Sequence, residues 1–251
     1  MKTTTLAALL GALLATPVPQ AHAQAPASLR LATEASAPYG MRDGKHLVGI
    51  ATDTVREIMA RAGFAHTIEL LPWKRAYTLA LERPEACVYA TTRTPEREAS
   101  FKWVGPIGEA DWVLMARADR TFSLRSLEDA RGYRIGTYNG DARDDYLRGR
   151  GFDVDPAPDD LTNPRKLMLN RIDLWAASIQ RGSLTLERLG YAGKIVPVLT
   201  FNRIRLYLAC NRAVPDAMVT RMNEALASME RDGSRRAILH KYDDWGHVRQ
   251  R

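Results

Sequence analysis

The stretch Thr92-Arg93-Thr94-Pro95-Glu96-Arg97 sets a guanidinium at the start of a short helix just past a strand. Thr94 suits the capping position and Pro95 the first helical one. Arg97 then projects beside backbone N–H groups that lack an internal partner. A guanidinium grips both oxygens of a carboxylate, and a helix start favours an anion, so the chemistry on offer is carboxylate capture. The same six residues also fit a plain helix start in which Arg97 meets Glu96, Glu98 or water. The two cysteines, Cys87 and Cys210, fall in β-like segments, 86–92 and 204–210. They either bridge, closing a loop of more than about a hundred residues for roughly 4–5 kcal/mol, or pack as buried free thiols. The five histidines are scattered. No metal spacing, Gly-rich phosphate loop or Gly-x-Ser-x-Gly nucleophile stands out, so neither cofactor nor metal is expected.

These residues need a frame, and periodicity supplies one. Residues 29–33 alternate like a strand. Residues 50–63 repeat Ala51, Val55, Ile58, Met59 and Ala62 at helical spacing and end on Gly63. A strand is expected at 66–71, a helix at 73–82 and a strand at 86–92. The Gly105-Pro106 pair then breaks regularity before the apolar run 112–115. The pattern repeats as strand 133–137, helices 141–150 and 163–170, strand 172–177 and strand 194–199, with 205–209 carrying the chain back. A helix over 215–231 bears Met218, Met222, Ala225 and Met229 on one side as core packing. A last helix lies around 234–242. Alternation of this kind predicts an α/β fold with parallel strands covered by helices. Two crossings divide it into lobes at 28–108 with 204–251, and at 109–203, joined by a hinge around a cleft.

The chain has 251 residues and a formal charge of +7. Its first residues read as a cleaved secretory signal at 1–23: Lys2, an apolar run at 6–15, Pro17 and Pro19, then Ala21-His22-Ala23. That run is too short to span a bilayer, and no cysteine follows it to take a lipid. The expectation is a soluble protein exported to a bacterial periplasm. Basic and acidic residues are interspersed, which describes a solvated surface and not a nucleic-acid footprint.

In order and spacing, several fragments resemble family 3 of the bacterial extracellular solute-binding proteins. They are Leu31-Ala32-Thr33-Glu34 leading to Ala37-Pro38-Tyr39, Gly49-Ile50-Ala51-Thr52-Asp53, Pro72-Trp73-Lys74-Arg75-Ala76, Thr94-Pro95-Glu96-Arg97, Gly105-Pro106 and Arg171-Ile172-Asp173. Asp232-Gly233-Ser234 and Lys241-Tyr242 extend the likeness to the end of the chain. The resemblance implies two α/β lobes closing on a small ligand, with Arg97 and Thr92 holding a carboxylate and Tyr39 and Trp73 flanking the ligand's side chain. Gly140-Asp141-Ala142-Arg143 then faces the ligand from the second lobe. Many amino-acid binders of that family carry an ammonium-binding aspartate five residues after the Asp of Arg-Ile-Asp, where this chain has Ser178. Either Asp141 takes the ammonium instead, or Arg143 neutralises Asp141 and the ligand is another small carboxylate. The implied role is a monomeric periplasmic receptor handing an amino acid or related polar compound to the membrane permease of an ABC importer. The alternatives are a periplasmic dehydratase of the cyclohexadienyl or arogenate type, which resembles the same family, and a ligand-binding partner of a sensor protein.

Overall fold

The computed structural model describes residues 28–242; the expected signal peptide at 1–23, His247 and the end of the chain lie outside the described residues. The first half of the fold opens with β1 (Ser28–Thr33), α1 (Ile50–Ala62), β4 (Ala65–Leu70), α2 (Trp73–Glu82) and β5 (Ala86–Thr92). A short hairpin, β2 (Met41–Asp43) with β3 (His46–Val48), interrupts the connection from β1 to α1. The one-turn helix α3 (Pro95–Glu98) leads into β6 (Phe101–Arg117). The second half comprises β7 (Ile135–Tyr138), α4 (Ala142–Arg148), β8 (Val154–Ala157), α5 (Thr162–Met168), β9 (Leu174–Ser178) and α6 (Ile179–Leu189). The long β10 (Ile195–Asn211) returns the chain to the first half, where α7 (Asp216–Asp232) and α8 (Ser234–His240) close it.

One sheet runs through both halves in the order β4-β1-β5-β10-β6-β9-β7-β8. The outer strands are parallel, β1 with β4 and β5, and β7 with β8 and β9, as expected for strands joined by helical crossovers. β6 and β10 are antiparallel to each other and to their outer neighbours. β5 meets β10 only from Leu206 onward, and β9 meets β6 only over Trp112–Met115. Between them β6 and β10 pair with each other alone, Glu109 opposite Arg205 and Asp111 opposite Arg203. The Arg203–Asp111 ion pair, 2.9 Å, rungs the two strands together there, although solvent screens an exposed pair of this kind.

Two sequence expectations change. Segments 194–199 and 205–209 are one 17-residue strand, and Gly105-Pro106 does not end β6, also 17 residues long. The register explains how: Val104 pairs Leu208 and Gly108 pairs Leu206, so the extra residues of β6 are absorbed in a bulge. Gly105, at φ 140°, is needed there, since a Cβ would come within 2.8 Å of the Tyr207 ring. The helix α6 and the strand β8 had no counterpart in the sequence reading.

Ala51, Val55, Ile58, Met59 and Ala62 of α1 are buried, as their spacing requires, and Gly63 closes the helix in the left-handed region. They share a core with Met218, Met222, Ala225 and Met229 of α7, so the methionine stripe is packing. Fully burying side chains such as Val55 and Ile58 stabilises the fold by about 1.5–3 kcal/mol each. Cys87 and Cys210 are opposed in the β5–β10 register and form a disulfide, which settles the open alternative in favour of a bridge.

Candidate functional site

The ends of the central strands meet at a narrow cleft between the two halves. Its walls come from the loop after β1 (Glu34, Tyr39), the first residue of α2 (Trp73), the end of β5 (Tyr89, Thr92), the paired strands (Trp112, Leu206), the start of α4 (Asp141, Arg143) and the end of β9 (Ser178). Six of the seven residues singled out from sequence, namely Tyr39, Trp73, Thr92, Asp141, Arg143 and Ser178, line this cleft; Arg97 does not. The free space is about 60 Å³, room for about two water molecules.

The β5 wall has a local cause. Val88 pairs Ala209 and Thr91 pairs Tyr207, so β5 carries one residue more than β10 between these pairs. The extra residue bulges at Ala90, which sits at φ 58°. Such a bulge re-aims the residues after it, here turning Thr92 to the cleft. Tyr89 is anchored by its hydroxyl to that of Thr52 at 3.0 Å, and burial pushes its phenol up to about 12.

Tyr39 is buried and donates its hydroxyl to the Glu109 carbonyl of β6 at 2.6 Å. Burial, then the charges of Asp111 and Glu109, raise its phenol well above the usual value, so it remains a neutral donor. Its ring is thereby fixed to the strand that links the halves. Across the cleft, Trp112 of β6, Tyr146 of α4 and Phe201 of β10 form a ring cluster with centroids 5.5–6.1 Å apart, which seats α4 on the same strands.

At the start of α4 the Asp141 carboxylate accepts from the Arg143 backbone N–H at 2.8 Å and from its Nε at 2.7 Å. The helix start is therefore capped by its own side chain, and with seven residues α4 offers no separate anion site. Arg143, with a side chain only 4% exposed, also reaches the Ala176 carbonyl at 3.4 Å and Asp160 at 3.5 Å. Asp160 in turn accepts from Trp175 Nε1 at 2.9 Å and Asn163 Nδ2 at 3.2 Å. Burial opposes the charge on Asp141, but Arg143 outweighs it and holds the carboxyl below its usual value.

Arg97 stands apart. Its side chain is 7% exposed, and Nη2 donates to the Gly140 carbonyl at 3.2 Å and to Asp145 Oδ2 at 3.3 Å, both in the second half. The guanidinium lies 4.9 Å from the Tyr77 ring and 5.7 Å from that of Trp73. Trp73 Nε1 donates to the same Gly140 carbonyl at 2.9 Å. Gly140, at φ 75°, turns that carbonyl across the cleft. Tyr138, at the end of β7, packs into the apolar cluster of Ala32, Trp73, Ala76 and Phe101 on the first half. Thr94 makes no capping hydrogen bond to α3, contrary to the sequence expectation.

Glu34, Tyr89 and Trp112 line the cleft but had no role assigned from sequence. Glu34 ends the strand-like stretch Leu31-Ala32-Thr33-Glu34, and a strand end is where functional residues of an α/β fold gather. Trp112 read only as the start of an apolar run.

Two α/β halves sharing a pair of long strands, with one cleft lined from both sides, define a two-lobe type II binding-protein fold. The chain belongs to the bacterial extracellular solute-binding proteins, family 3, which matches residues 29–244. It is 22% identical over 207 residues to the L-cystine-binding protein TcyJ of Escherichia coli (strain K12), covering 80% of this chain and 75% of that protein. Among solved structures, a histidine kinase sensor domain with similarity to periplasmic binding proteins matches at TM-score 0.79 and 19% identity, covering 87% of this chain and 96% of that one. An ancestral arginine-binding protein bound to arginine matches at TM-score 0.74 and 21% identity, over 86% and 98% of the two chains. The arginine-, lysine-, histidine-binding protein ArtJ from Geobacillus stearothermophilus matches at TM-score 0.74 and 16% identity, over 86% and 95%. Family and relatives are binding proteins, and no helix among the described residues is long and apolar enough to cross a membrane.

Proposed function

We propose that this chain is a periplasmic receptor that captures a small polar ligand of the amino-acid class and presents it to the permease of an ABC importer. The observation that carries this reading is the cleft itself, where aromatic, hydroxyl and charged side chains from both halves converge on one space at the strand that links them. Trp73 and Tyr39 flank the ligand, Asp141 takes its ammonium group, and Thr92 and Ser178 bond its remaining polar atoms, a carboxylate included where there is one. The lobes are 28–108 with 204–251, and 109–203; the switch of pairing partners along β6 and β10 supports those bounds. They rotate about the two-strand segment as a monomer, and closure forms the surface the permease reads. The ligand leaves unchanged, so the receptor is not an enzyme.

The test is thermal unfolding of ligand-stripped protein against amino acids, polyamines, dicarboxylates, aromatic acids and prephenate. A ligand at a hundred times its Kd adds about 2.7 kcal/mol. Recovery of the bound compound unaltered by mass spectrometry supports a receptor, and its conversion supports the dehydratase alternative. Loss of uptake of that compound on deletion of the gene supports delivery to an importer; intact uptake with a lost transcriptional response favours the sensor partner, a reading prompted by the sensor-domain neighbour.

A further inference from the structure

We propose that the back of the two-strand hinge, the face turned away from the cleft, carries a second binding site, and that it takes a small oxyanion with two or more negative groups, a polycarboxylate or a phosphoryl compound. The site goes beyond the receptor reading above and stands or falls independently of it.

Strand alternation creates the site. Ala110 and Trp112 of β6 and Ile204 and Leu206 of β10 line the cleft, and the register is regular from Glu109–Arg205 to Asp111–Arg203. Glu109, Arg203, Arg205 and Tyr207 alternate with those residues and so face the other way. Together with Asn202, and with Arg93 just past the end of β5, they bound a groove of about 500 Å³; Ile204 borders both spaces. That volume falls in the range of about 300–1,000 Å³ that holds a small molecule. Its wall carries three guanidiniums and one carboxylate, since Asp111 and Glu98, the partners of Arg203 and Arg93, are off it.

The unused donors of the wall point to its ligand. The nearest carboxylate oxygen to the Arg205 side chain, on Glu109, is 3.8 Å from Nε, beyond hydrogen-bond length. Arg203 gives Nε to Asp111 at 2.9 Å, which leaves both of its Nη groups for another acceptor. Arg93 is held in place instead: Glu98 accepts from it at 2.7 and 2.5 Å, and the rings of Trp103 and Tyr207 lie 5.5 and 5.4 Å from its guanidinium carbon. One fixed guanidinium beside two with donors to spare suits an oxyanion, which each can grip through paired N–H groups. Arg203 and Arg205 are about 6–7 Å apart along their strand, and Arg93 comes from a separate element, so two anionic groups engage this wall better than one. A cation would meet Glu109 alone among three guanidiniums. Glu109, 61% exposed and loosely paired, yields Arg205 to an incoming anion at small cost.

The test is calorimetric titration of the purified protein and its variants, at fixed ionic strength, with citrate, pyrophosphate, acetate and spermidine. The expected result is that citrate or pyrophosphate binds at a single site, about tenfold or more tighter than acetate, and that spermidine does not bind there. Tighter binding of citrate names a polycarboxylate and tighter binding of pyrophosphate a phosphoryl compound; either order supports the site. The paired change Arg203→Gln with Arg205→Gln, at side chains 75% and 66% exposed, then weakens the bound anion about tenfold or more with the unfolding midpoint of the anion-free protein unchanged. Glu109→Gln, which keeps every arginine, tightens it about threefold. Failure of both polyanions to bind, or equal affinity for citrate, pyrophosphate and acetate, overturns the proposal. So does an affinity that the paired change leaves intact, which places the anion elsewhere on the protein, the cleft included, or a Glu109→Gln variant that binds more weakly.

Discussion

Removing the Cys87–Cys210 bridge by the paired change Cys87→Ala and Cys210→Ala tests how the lobe that carries β5 holds the long return strand. The two residues are 123 positions apart, and both are fully buried. Chain-entropy accounting for a loop of that length gives about 5 kcal/mol at 25 °C. Trimming two buried sulfurs adds about 1 kcal/mol each, so the expected loss is about 6–7 kcal/mol. With a urea slope of about 3 kcal/mol/M, the midpoint falls by about 2 M. The assay is equilibrium urea unfolding of ligand-stripped protein, followed by tryptophan fluorescence and far-UV circular dichroism in parallel. A midpoint lowered by less than about 0.5 M refutes the reasoning, because it means that β5 and β10 stay paired in the unfolded chain or that the bridge strains the fold it closes.

Trp73→Phe keeps a ring against the cleft and deletes the donor to the Gly140 carbonyl, so closure weakens by about 1 kcal/mol, or roughly fivefold, for every ligand; distance measurements between labels on the two lobes read the population, and an unchanged distribution refutes it. Ala90→Gly relieves a left-handed alanine at the β5 bulge and raises stability by up to about 1 kcal/mol, measured as an increase in Tm, whereas a fall shows that the Ala90 methyl matters more than its backbone. Asp141 has its carboxyl depressed in the folded state, so its ion pair with Arg143 contributes fully above the ordinary value of 3.8 and is lost as pH falls through the lower folded value. Acid unfolding of Asp141→Asn, compared with the parent, accordingly shows a smaller loss of stability below about pH 4; parallel curves refute the assignment.

The parts of the fold that were legible in the sequence are those governed by local rules. The 3.6-residue spacing of Val55, Ile58, Met59 and Ala62, closed by Gly63, specifies α1 because a helix can bury one stripe only at that period. The methionine stripe of α7 follows for the same reason. The continuity of β6 through Gly105-Pro106 was not legible, because it depends on a bulge opposite β10, a strand about a hundred residues away in sequence that the pattern of β6 does not describe. The return strand split into two readings for a similar cause. Its middle, 202–205, faces solvent on one side and leaves neighbours other than β6 behind, so its polarity resembles that of a loop.

The candidate site divides along the same line. The family resemblance of the fragments, read in their order along the chain, implied that Tyr39, Trp73, Thr92, Asp141, Arg143 and Ser178 face one cleft, and all six line it. Residue types and order also determined that Cys87 and Cys210 lie in strands, but not that those strands are neighbours in register. Only the tertiary structure decided the partner of Arg97. From sequence it had carboxylates one residue to either side, Glu96 and Glu98, and a free helix start to share with a ligand; in the fold it reaches Asp145, 48 residues on, and the Gly140 carbonyl. The physical reason is that periodicity reports which face of an element is buried, whereas the partner of a long charged side chain depends on which loops meet when the two halves close, and that contact leaves no local pattern in either segment.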